Sequence, residues 1–414
     1  MKIEILCTGD EVLSGKIINS NYSFMSSKLE EVGLNVIWGT TVGDNKEDLL
    51  RAFDLASERA DAVIVNGGLG PTVDDLSQEV AAIASGNELE LRTDWLEIME
   101  KFFIKRGRVM TENNKKQAML PKTSELINNP IGTACGFAVN IKKARFFFTP
   151  GVPRELFLML ENEIIPRLLS MSGENIVTKL KTFHSYGIGE SRADSLLKDV
   201  VELAPDKNVK LGFQAHFPQL ETKLFIRASS ADEIEKNLIP VENEVRKILG
   251  NYIFTEDKDT LEDSIIRALS KSNQTLSIAE FLTQGNVSSR LAGADKNGEN
   301  LKFSVNSNNI KTLTKNLEID IDLEKSLILN EKIAENCRLK YSTDMSLSVL
   351  INYLDNNEAD TYISLSLDGK LISRTGKFIG DEYRVTLGSA EMALDCLRRY
   401  LSNLPFDEKS DFER

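Results

Sequence analysis

Three strand-then-helix segments follow one another at the start of the chain, and this repeat constrains the fold more than any other feature. Residues 2–8 alternate like a strand before a helical pattern at 21–32, and residues 34–42 and 46–58 repeat the pair. The continuous apolar run 62–65 then precedes a glycine-rich loop and another helix. Successive β-α units predict a three-layer α/β/α domain with a largely parallel sheet and right-handed crossovers.

The 414 residues are too many for one ordinary hydrophobic core, so we expect several domains. Alternating segments around a helical stretch predict a small α+β middle domain, in which Pro240 kinks or breaks the helix. A further α/β domain follows, and the charge-rich last residues are expected to form a frayed tail. The expected boundaries are 1–170, 171–256, 257–405 and 406–414 for the tail.

Composition excludes several classes of function. A formal charge of -13 opposes loose binding to nucleic acid, because phosphate backbones require a basic surface. No stretch approaches the roughly 20 apolar residues of a membrane span. The four cysteines form no closely spaced pair, which argues against a disulfide framework or a zinc cluster. We therefore expect a cytoplasmic protein that contacts neither nucleic acid nor membrane directly.

The glycine-rich loop, residues 66–75, indicates a site for phosphate. Gly67, Gly68 and Gly70 permit positive φ angles and lack Cβ atoms, so successive N-H groups can converge on phosphate oxygens. The helix that follows adds its positive end. The alternative is that these are ordinary turn glycines.

Carboxylates stand after each of the first three strands. Asp10 and Asp44 follow the first two strands, and Asp74 and Asp75 end the glycine-rich loop. A carboxylate beside a phosphate is repulsive unless a divalent cation lies between them, so the pattern indicates a metal-assisted diphosphate site. Two alternatives stay open, namely helix caps at Asp74 and Asp75 and solvated loop acids at Asp10 and Asp44.

Several motifs together resemble the competence/damage-inducible protein A (CinA) family. They are Gly-Asp-Glu-Val-Leu-Ser-Gly-Lys-Ile-Ile-Asn-Ser-Asn at 9–21, Val-Gly-Asp-Asn at 42–45, Gly-Gly-Leu-Gly-Pro-Thr-Val-Asp-Asp at 67–75 and Pro-Gly-Val-Pro-Arg-Glu at 150–155, with further matches at 114–121, 132–137 and, in the middle domain, 187–191. The resemblance implies a molybdopterin-binding-type first domain, similar to MoaB, MogA and MoeA, with a metal-dependent ADP-ribose pyrophosphatase activity. In the cofactor-synthesis relatives, the acids that match Asp44 and Asp75 serve an adenylylation site.

The third domain resembles a nicotinamide mononucleotide deamidase that has lost its nucleophile. Phe281 follows Ala279-Glu280, where the family signature places a serine. A phenyl ring cannot attack an amide carbonyl, so we expect deamidation to be absent. Ser288 and Ser289 are poor substitutes, since a helix from Phe281 would place them about two turns away.

We therefore expect hydrolysis of a nucleoside diphosphate sugar, ADP-ribose above all, to AMP and ribose 5-phosphate. The expected cofactor is Mg²⁺, Mn²⁺ or Co²⁺, and the expected partners are a small-molecule nucleotide and a second copy of the chain. The alternatives are a non-catalytic nucleotide or pterin binder and adenylyl transfer to molybdopterin. The expected residues are catalytic Asp44, Asp74 and Asp75, metal-binding Asp10, Asp44 and Asp75, and substrate-binding Gly67, Gly68, Gly70, Thr72, Asn19, Asn21 and Gln117.

Overall fold

The structure, a computed structural model, describes residues 1–173, 177–319, 326–354 and 357–413. Glu174 of the predicted domain boundary and Arg414 of the predicted tail lie outside these ranges. The described chain divides into two compact units, Met1–Lys179 with Arg227–Ser230, and Leu180–Ile226 with Ala231–Arg414.

A six-stranded sheet forms the centre of the first unit. Its order is β2-β1-β3-β8-β7-β6, in which β2, β1, β3 and β8 run parallel and β7 and β6 run antiparallel to their neighbours. Two short strands, β4 and β5, pair separately. The strands are β1 (Ile3–Thr8), β2 (Val36–Val42), β3 (Ala62–Asn66), β4 (Leu89–Leu91), β5 (Met119–Pro121), β6 (Glu125–Ile127), β7 (Gly136–Ile141) and β8 (Ala144–Thr149).

Helices cover both faces of this sheet. They are α1 (Asp10–Leu13), α2 (Ser20–Glu31), α3 (Lys46–Arg59), α4 (Ser77–Ala84), α5 (Thr93–Lys105), α6 (Pro153–Met159) and α7 (Ile165–Ser172), with a 3-10 turn at Glu112–Ala118 and a π turn at Leu160–Ile164. Because strand side chains alternate, Val63 and Val65 pack with α3, α4 and α5, whereas Ala62 and Ile64 pack with α2, α6 and α7. The predicted three-layer α/β/α fold with a largely parallel sheet is confirmed.

The middle of the chain has the element order β-α-β-β-α-β. It comprises β9 (Val177–Tyr186), α8 (Glu190–Leu197), a 3-10 turn (Val200–Leu203), β10 (Val209–His216), β11 (Gln219–Ala228), α9 (Ala231–Leu249), a 3-10 turn (Gly250–Tyr252) and β12 (Ile253–Glu256). These strands form a sheet in the order β10-β11-β9-β12. The predicted break at Pro240 is wrong, because α9 is continuous and its buried Ile234, Leu238, Val241 and Val245 stabilise both halves.

The last part of the chain is an α/β fold, as predicted. Its helices are α10 (Leu261–Ser272), α11 (Asn286–Ala294), α12 (Ile310–Asn316), α13 (Leu327–Tyr341) and α14 (Glu382–Leu401). Its strands are β13 (Leu276–Phe281), β14 (Leu301–Ser307), β15 (Met345–Tyr353), β16 (Glu358–Leu367) and β17 (Lys370–Ile379). The sheet order is β14-β13-β15-β16-β17, with the first three strands parallel and the other two antiparallel.

The prediction of a frayed tail is wrong. Glu413 forms an ion pair with Arg374 at 2.5 Å, and both side chains are buried. Asp411 accepts a hydrogen bond from the N-H of Gly189 at 2.9 Å, and Phe412 packs near the ring of Tyr186. The tail is therefore held against its unit by specific contacts that its charged composition conceals.

Within the described residues, no helix has the length and apolar character that a membrane crossing requires.

Candidate functional site

A cleft of about 660 Å³ opens at the carboxyl ends of the parallel strands in the first unit. Loops after β1, β2, β3 and β8 form most of its wall, as expected for an open α/β sheet, whose ligands bind where parallel strands end. Nearly all of the predicted site residues line it, namely Asn19, Asn21, Asp44, Gly67, Gly68, Gly70, Thr72, Asp74, Asp75 and Gln117. Asp10 lies outside its lining, in an adjoining surface depression.

The glycine-rich loop offers fewer N-H groups to a ligand than predicted. The N-H of Gly67 donates to the carbonyl of Thr149 at 3.0 Å, so it cannot also face a phosphate. Within the described ranges, the N-H groups of Gly68 and Gly70 have no protein acceptor. A Cβ on Gly68, whose φ is +69°, would lie 2.4 Å from Oγ of Ser77. The part of the loop that can donate N-H groups to a phosphate is therefore the part after Gly67.

The acids that end this loop do not cap the following helix. Helix α4 begins at Ser77, and its N-cap residue, Leu76, makes no side-chain cap. Oδ2 of Asp75 instead accepts hydrogen bonds from N and Oγ1 of Thr72, at 2.8 and 2.5 Å. Asp74 is exposed, and in the described part of the chain it has no side-chain partner. Asp75 therefore stabilises the loop through Oδ2, whereas its Oδ1 accepts no hydrogen bond from the described residues.

Asp10 and Asp44 hold the first two loops together by reciprocal hydrogen bonds. The N-H of Asp10 donates to Oδ2 of Asp44 at 3.1 Å, and the N-H of Asp44 donates to Oδ1 of Asp10 at 3.2 Å. Burial raises the pKa of Asp44, and the negative charges of Asp10, Glu11 and Asp75 raise it further against the lowering effect of the Asp10 N-H. Carboxylates thus repel one another at this end of the cleft.

A chain of amide side chains forms the floor of the cleft. Nδ2 of Asn21 donates to Oδ1 of Asn66 at 2.9 Å and to the carbonyl of Gly151 at 2.8 Å. Asn66 in turn donates to Oγ1 of Thr149 at 3.1 Å and to the carbonyl of Pro150 at 2.8 Å. The sequence prediction assigned no separate role to Asn66. Its position directly after the buried run 62–65, at the end of a strand, would have indicated a polar residue of the site.

Three buried polar atoms of the cleft residues have no hydrogen-bond partner within the described chain. They are Oγ1 of Thr8, Oδ1 of Asn21 and Oε1 of Gln117. The two amide oxygens can only accept, so they suit the hydroxyl or amino groups of a ligand. Asn19 differs, because its Oδ1 already accepts from the N-H of Tyr22 and caps α2.

Glu155 is a further cleft residue that sequence reasoning did not assign. It lies in the first turn of α6 and is half-buried. Its Oε2 accepts a hydrogen bond from Nδ2 of Asn129 at 2.8 Å. Burial raises the pKa of Glu155, and this effect exceeds the opposing ones of the Asn129 hydrogen bond and the charge of Arg106.

The described residues contain no group of three or more His, Cys, Asp or Glu side chains placed to hold a metal ion. The predicted ligands Asp10, Asp44 and Asp75 nevertheless interact electrostatically, since Asp10 and Asp75 both raise the pKa of Asp44. A metal here would need ligand atoms from the substrate as well as from the protein.

In the last domain, Phe281 is buried at the end of β13, in an apolar cluster with Leu313 and Leu350. Helix α11 begins at Asn286 and not at Phe281 as expected. The expected distance of two helical turns between Phe281 and the serines at 288 and 289 therefore does not apply. The hydroxyl groups of those serines, Ser288 and Ser289, donate to backbone carbonyls within their own turn.

Comparison with known proteins matches two family models to the chain. Residues 4–170 match the probable molybdopterin binding domain, and residues 180–255 match the damage-inducible protein CinA KH domain. A CinA-like protein of Dictyoglomus thermophilum is 36% identical over 417 residues, which cover 98% of this chain and 100% of the relative. One from Shewanella woodyi is 42% identical over 292 residues, covering 70% of this chain and 67% of the relative.

Among solved structures, the CinA protein of unknown function from Thermoplasma acidophilum is 32% identical to this chain. The match covers 40% of this chain and 96% of that protein, with a TM-score of 0.37.

Proposed function

Since the chain belongs to the CinA family, we propose that its first domain hydrolyses a nucleoside diphosphate sugar, ADP-ribose, to AMP and ribose 5-phosphate with the help of a divalent metal. One observation carries the proposal. The cleft brings the N-H groups of Gly68 and Gly70 into the same site as Asp44 and Asp75, whose negative charges repel each other. Phosphate groups and a cation together would satisfy both features.

The acidic end of the cleft, Glu11, Asp44 and Asp75, has the donor chemistry that a hard cation requires. Carboxylate oxygens are the protein ligands that Mg²⁺ prefers, and Mg²⁺ is often held by one or two of them together with substrate phosphates. A cluster of three protein ligands is therefore not required. A cation would also relieve the repulsion that raises the pKa of Asp44.

Side chains and backbone groups of the cleft would bind the substrate and transfer the proton. Gly68 and Gly70 would donate hydrogen bonds to the diphosphate, with Thr72 held beside it by Asp75. Asp44 and Asp75 would hold the cation, which would neutralise phosphate charge and lower the pKa of a bound water. Asp74, which is exposed in the cleft, would take the proton as the oxygen of water attacks one phosphorus. The bond from that phosphorus to the bridging oxygen then breaks, and the bridging oxygen leaves with the second phosphate.

The match of residues 4–170 to the probable molybdopterin binding domain supports a second candidate, a pterin site with adenylyl transfer or with binding alone. The two candidates differ in their products. Hydrolysis releases AMP from ADP-ribose, whereas adenylyl transfer requires a nucleoside triphosphate and a pterin acceptor.

Release of AMP from ADP-ribose by the purified full chain, with Mg²⁺, Mn²⁺ or Co²⁺, tests the proposal. Asp75→Asn should lower the rate about a hundredfold, the scale of a lost catalytic group. Asp48→Asn, an equal change of charge at an exposed position on α3, should leave the rate unchanged. Equal rates for Asp75→Asn and the parent protein would contradict the assignment, and an absence of metal-dependent AMP release would contradict hydrolysis.

We also propose that the last domain has lost deamidation, because Phe281 stands at the position of the family nucleophile and supplies no attacking atom. Release of ammonia from nicotinamide mononucleotide by the full chain tests this. Turnover above a Phe281→Ala control would contradict the proposal.

A further inference from the structure

The cleft has two chemically different ends. Asp44 follows β2, the glycine-rich loop follows β3 and Glu155 lies beyond the end of β8. In the sheet order β2-β1-β3-β8, the outer two of these strands are three spacings apart, about 14 Å. The glycine-rich loop lies between the acidic end and Glu155, so a ligand whose phosphates lie on that loop can reach toward both.

The end of the cleft that contains Glu155 is called here the base end, and both apolar and polar residues line it. Leu69, Ala134 and Val152 supply apolar surface, and the buried Oε1 of Gln117 is an acceptor without a protein partner in the described chain. Apolar walls with a few fixed polar atoms are typical of sites for heterocycles.

Glu155 is held in position at this end. Asn129 donates to its Oε2, and a second bond from the same Nδ2 to the carbonyl of Ala134 fixes Asn129 itself, at 2.7 Å. A Cβ on Gly132 would lie 2.2 Å from Oε2, so the carboxyl group occupies space that only a glycine leaves open. Within the described residues Oε1 of Glu155 makes no hydrogen bond, which leaves this atom for a ligand.

We propose that Glu155 selects an adenine-type base by donating a hydrogen bond from its neutral carboxyl group to a ring nitrogen of the base. This inference deepens the proposed function and rests on it, because it assumes that an adenine nucleotide occupies the cleft. Ring nitrogens of adenine accept hydrogen bonds, so Oε1 must carry a proton, while Oε2 remains the acceptor for Asn129. Selection requires that this nitrogen is N1 of adenine, because the corresponding N1 of guanine and N3 of a pterin carry a hydrogen and would require the ionised carboxylate. N7 would not discriminate, since it is an acceptor in guanine as well.

The surroundings favour the neutral form. Burial raises the pKa of Glu155, and a diphosphate in the same cleft would oppose a second negative charge nearby. Arg106 is the one charged side chain that acts on Glu155 among the described residues, and its effect is smaller than that of burial. Asn129 is uncharged, so the protonation state depends mainly on burial and on the ligand.

The proposal predicts that adenine nucleotides bind together with one proton. Calorimetric titration of the full chain with AMP, without metal, should give an affinity that falls about tenfold per pH unit above the pKa of Glu155 in the free protein. Titration in buffers of different ionisation enthalpy should show proton uptake. Glu155→Gln keeps a donor and an acceptor, so AMP should bind within about threefold of the parent protein at low pH, without this pH dependence.

Glu155→Ala should weaken AMP binding about tenfold at low pH, the scale of one lost hydrogen bond. Glu161→Gln removes the same charge from a half-exposed position outside the cleft and should change neither affinity nor pH dependence. Circular dichroism of each variant separates loss of binding from loss of fold.

Two results would overturn the proposal. One is AMP binding with the same pH dependence in the parent protein and in Glu155→Gln, and the other is GMP binding that strengthens with pH and exceeds AMP binding. Hydrolysis of ADP-ribose is measured separately. Proton-linked AMP binding without AMP release would therefore leave the role of Glu155 standing and contradict only the hydrolase.

Discussion

Asn21 and Asn66 are joined by a hydrogen bond of 2.9 Å between Nδ2 of the first and Oδ1 of the second. Because a second bond from Nδ2 goes to the carbonyl of Gly151, both amide protons of Asn21 are used. Its Oδ1 is consequently the only atom of that amide left to meet a ligand. One buried asparagine thus fixes the orientation of another.

Replacing Asn66 by alanine should lower the free energy of unfolding of the first unit by about 2 to 3 kcal/mol, because it leaves buried donors and acceptors without partners. It should also weaken binding of AMP, since the amide of Asn21 would be held only by its hydrogen bond to the carbonyl of Gly151. Chemical denaturation and calorimetry measure the two effects. Asn140→Ala, at an exposed position on β7, is the control. Unchanged stability of Asn66→Ala would contradict the role assigned to this network.

The need for a glycine at position 68 of the glycine-rich loop can be tested by comparison with another glycine of nearly the same backbone conformation. Gly68 and Gly86 have φ angles of +69° and +68°, but a Cβ on Gly86 would meet no atom within 4 Å. Gly86→Ala should therefore cost about 1 kcal/mol of unfolding free energy from backbone strain alone. Gly68→Ala should cost more and abolish AMP binding, because its Cβ would displace Ser77. Equal behaviour of the two variants would contradict this, as measured by thermal unfolding and calorimetry.

The sequence predicts the first three strands from their periodic patterns. It also predicts that Asp10 and Asp44 lie at the same edge of the sheet, because the carboxyl ends of parallel strands meet there, and the two residues are indeed joined by hydrogen bonds. It does not predict that the N-H of Gly67 is used by Thr149, since that bond requires the pairing of β3 with β8. Glu155 was overlooked for a similar reason. Its environment depends on Asn129, from a loop that carries no periodic pattern.

A buried ion network in α14 predicts a large effect on stability. Asp395 accepts hydrogen bonds from Arg398 at 2.7 and 2.8 Å and from Arg399 at 2.6 Å, and all three side chains are nearly inaccessible. Asp395→Asn should lower the free energy of unfolding by about 3 kcal/mol, because the buried Arg398 loses its counter-charge and Arg399 keeps only its ion pair with Glu408. Asp368→Asn, which alters a fully exposed carboxylate, should change it little in the same denaturation experiment. A similar value for both variants would contradict the prediction.

Stability at acid pH should depend on Glu256. Hydrogen bonds from Arg246, aided by Lys181, lower the pKa of this carboxyl from 4.5 to about 2. Because the pKa in the folded state is lower than in the unfolded state, the stabilisation is complete above about pH 4.5 and is lost as the pH falls toward 2. Glu256→Gln should reduce the slope of melting temperature against pH in this range, and Glu235→Gln, at an exposed position on α9, should not. Parallel curves for Glu256→Gln and the parent protein would contradict the prediction.

The contact between Asp411 and Gly189 joins residues 222 positions apart. At the usual 5 to 20 residues per second of protein synthesis, α8 and the turn before it are made about 10 to 45 seconds before the carboxylate that completes them. During that interval Gly189 and the ring of Phe217, which Phe412 later contacts, lack their final partners. The middle domain must therefore spend the rest of translation with an unfinished surface, and it is there that we expect chaperones or misfolding to act on the nascent chain.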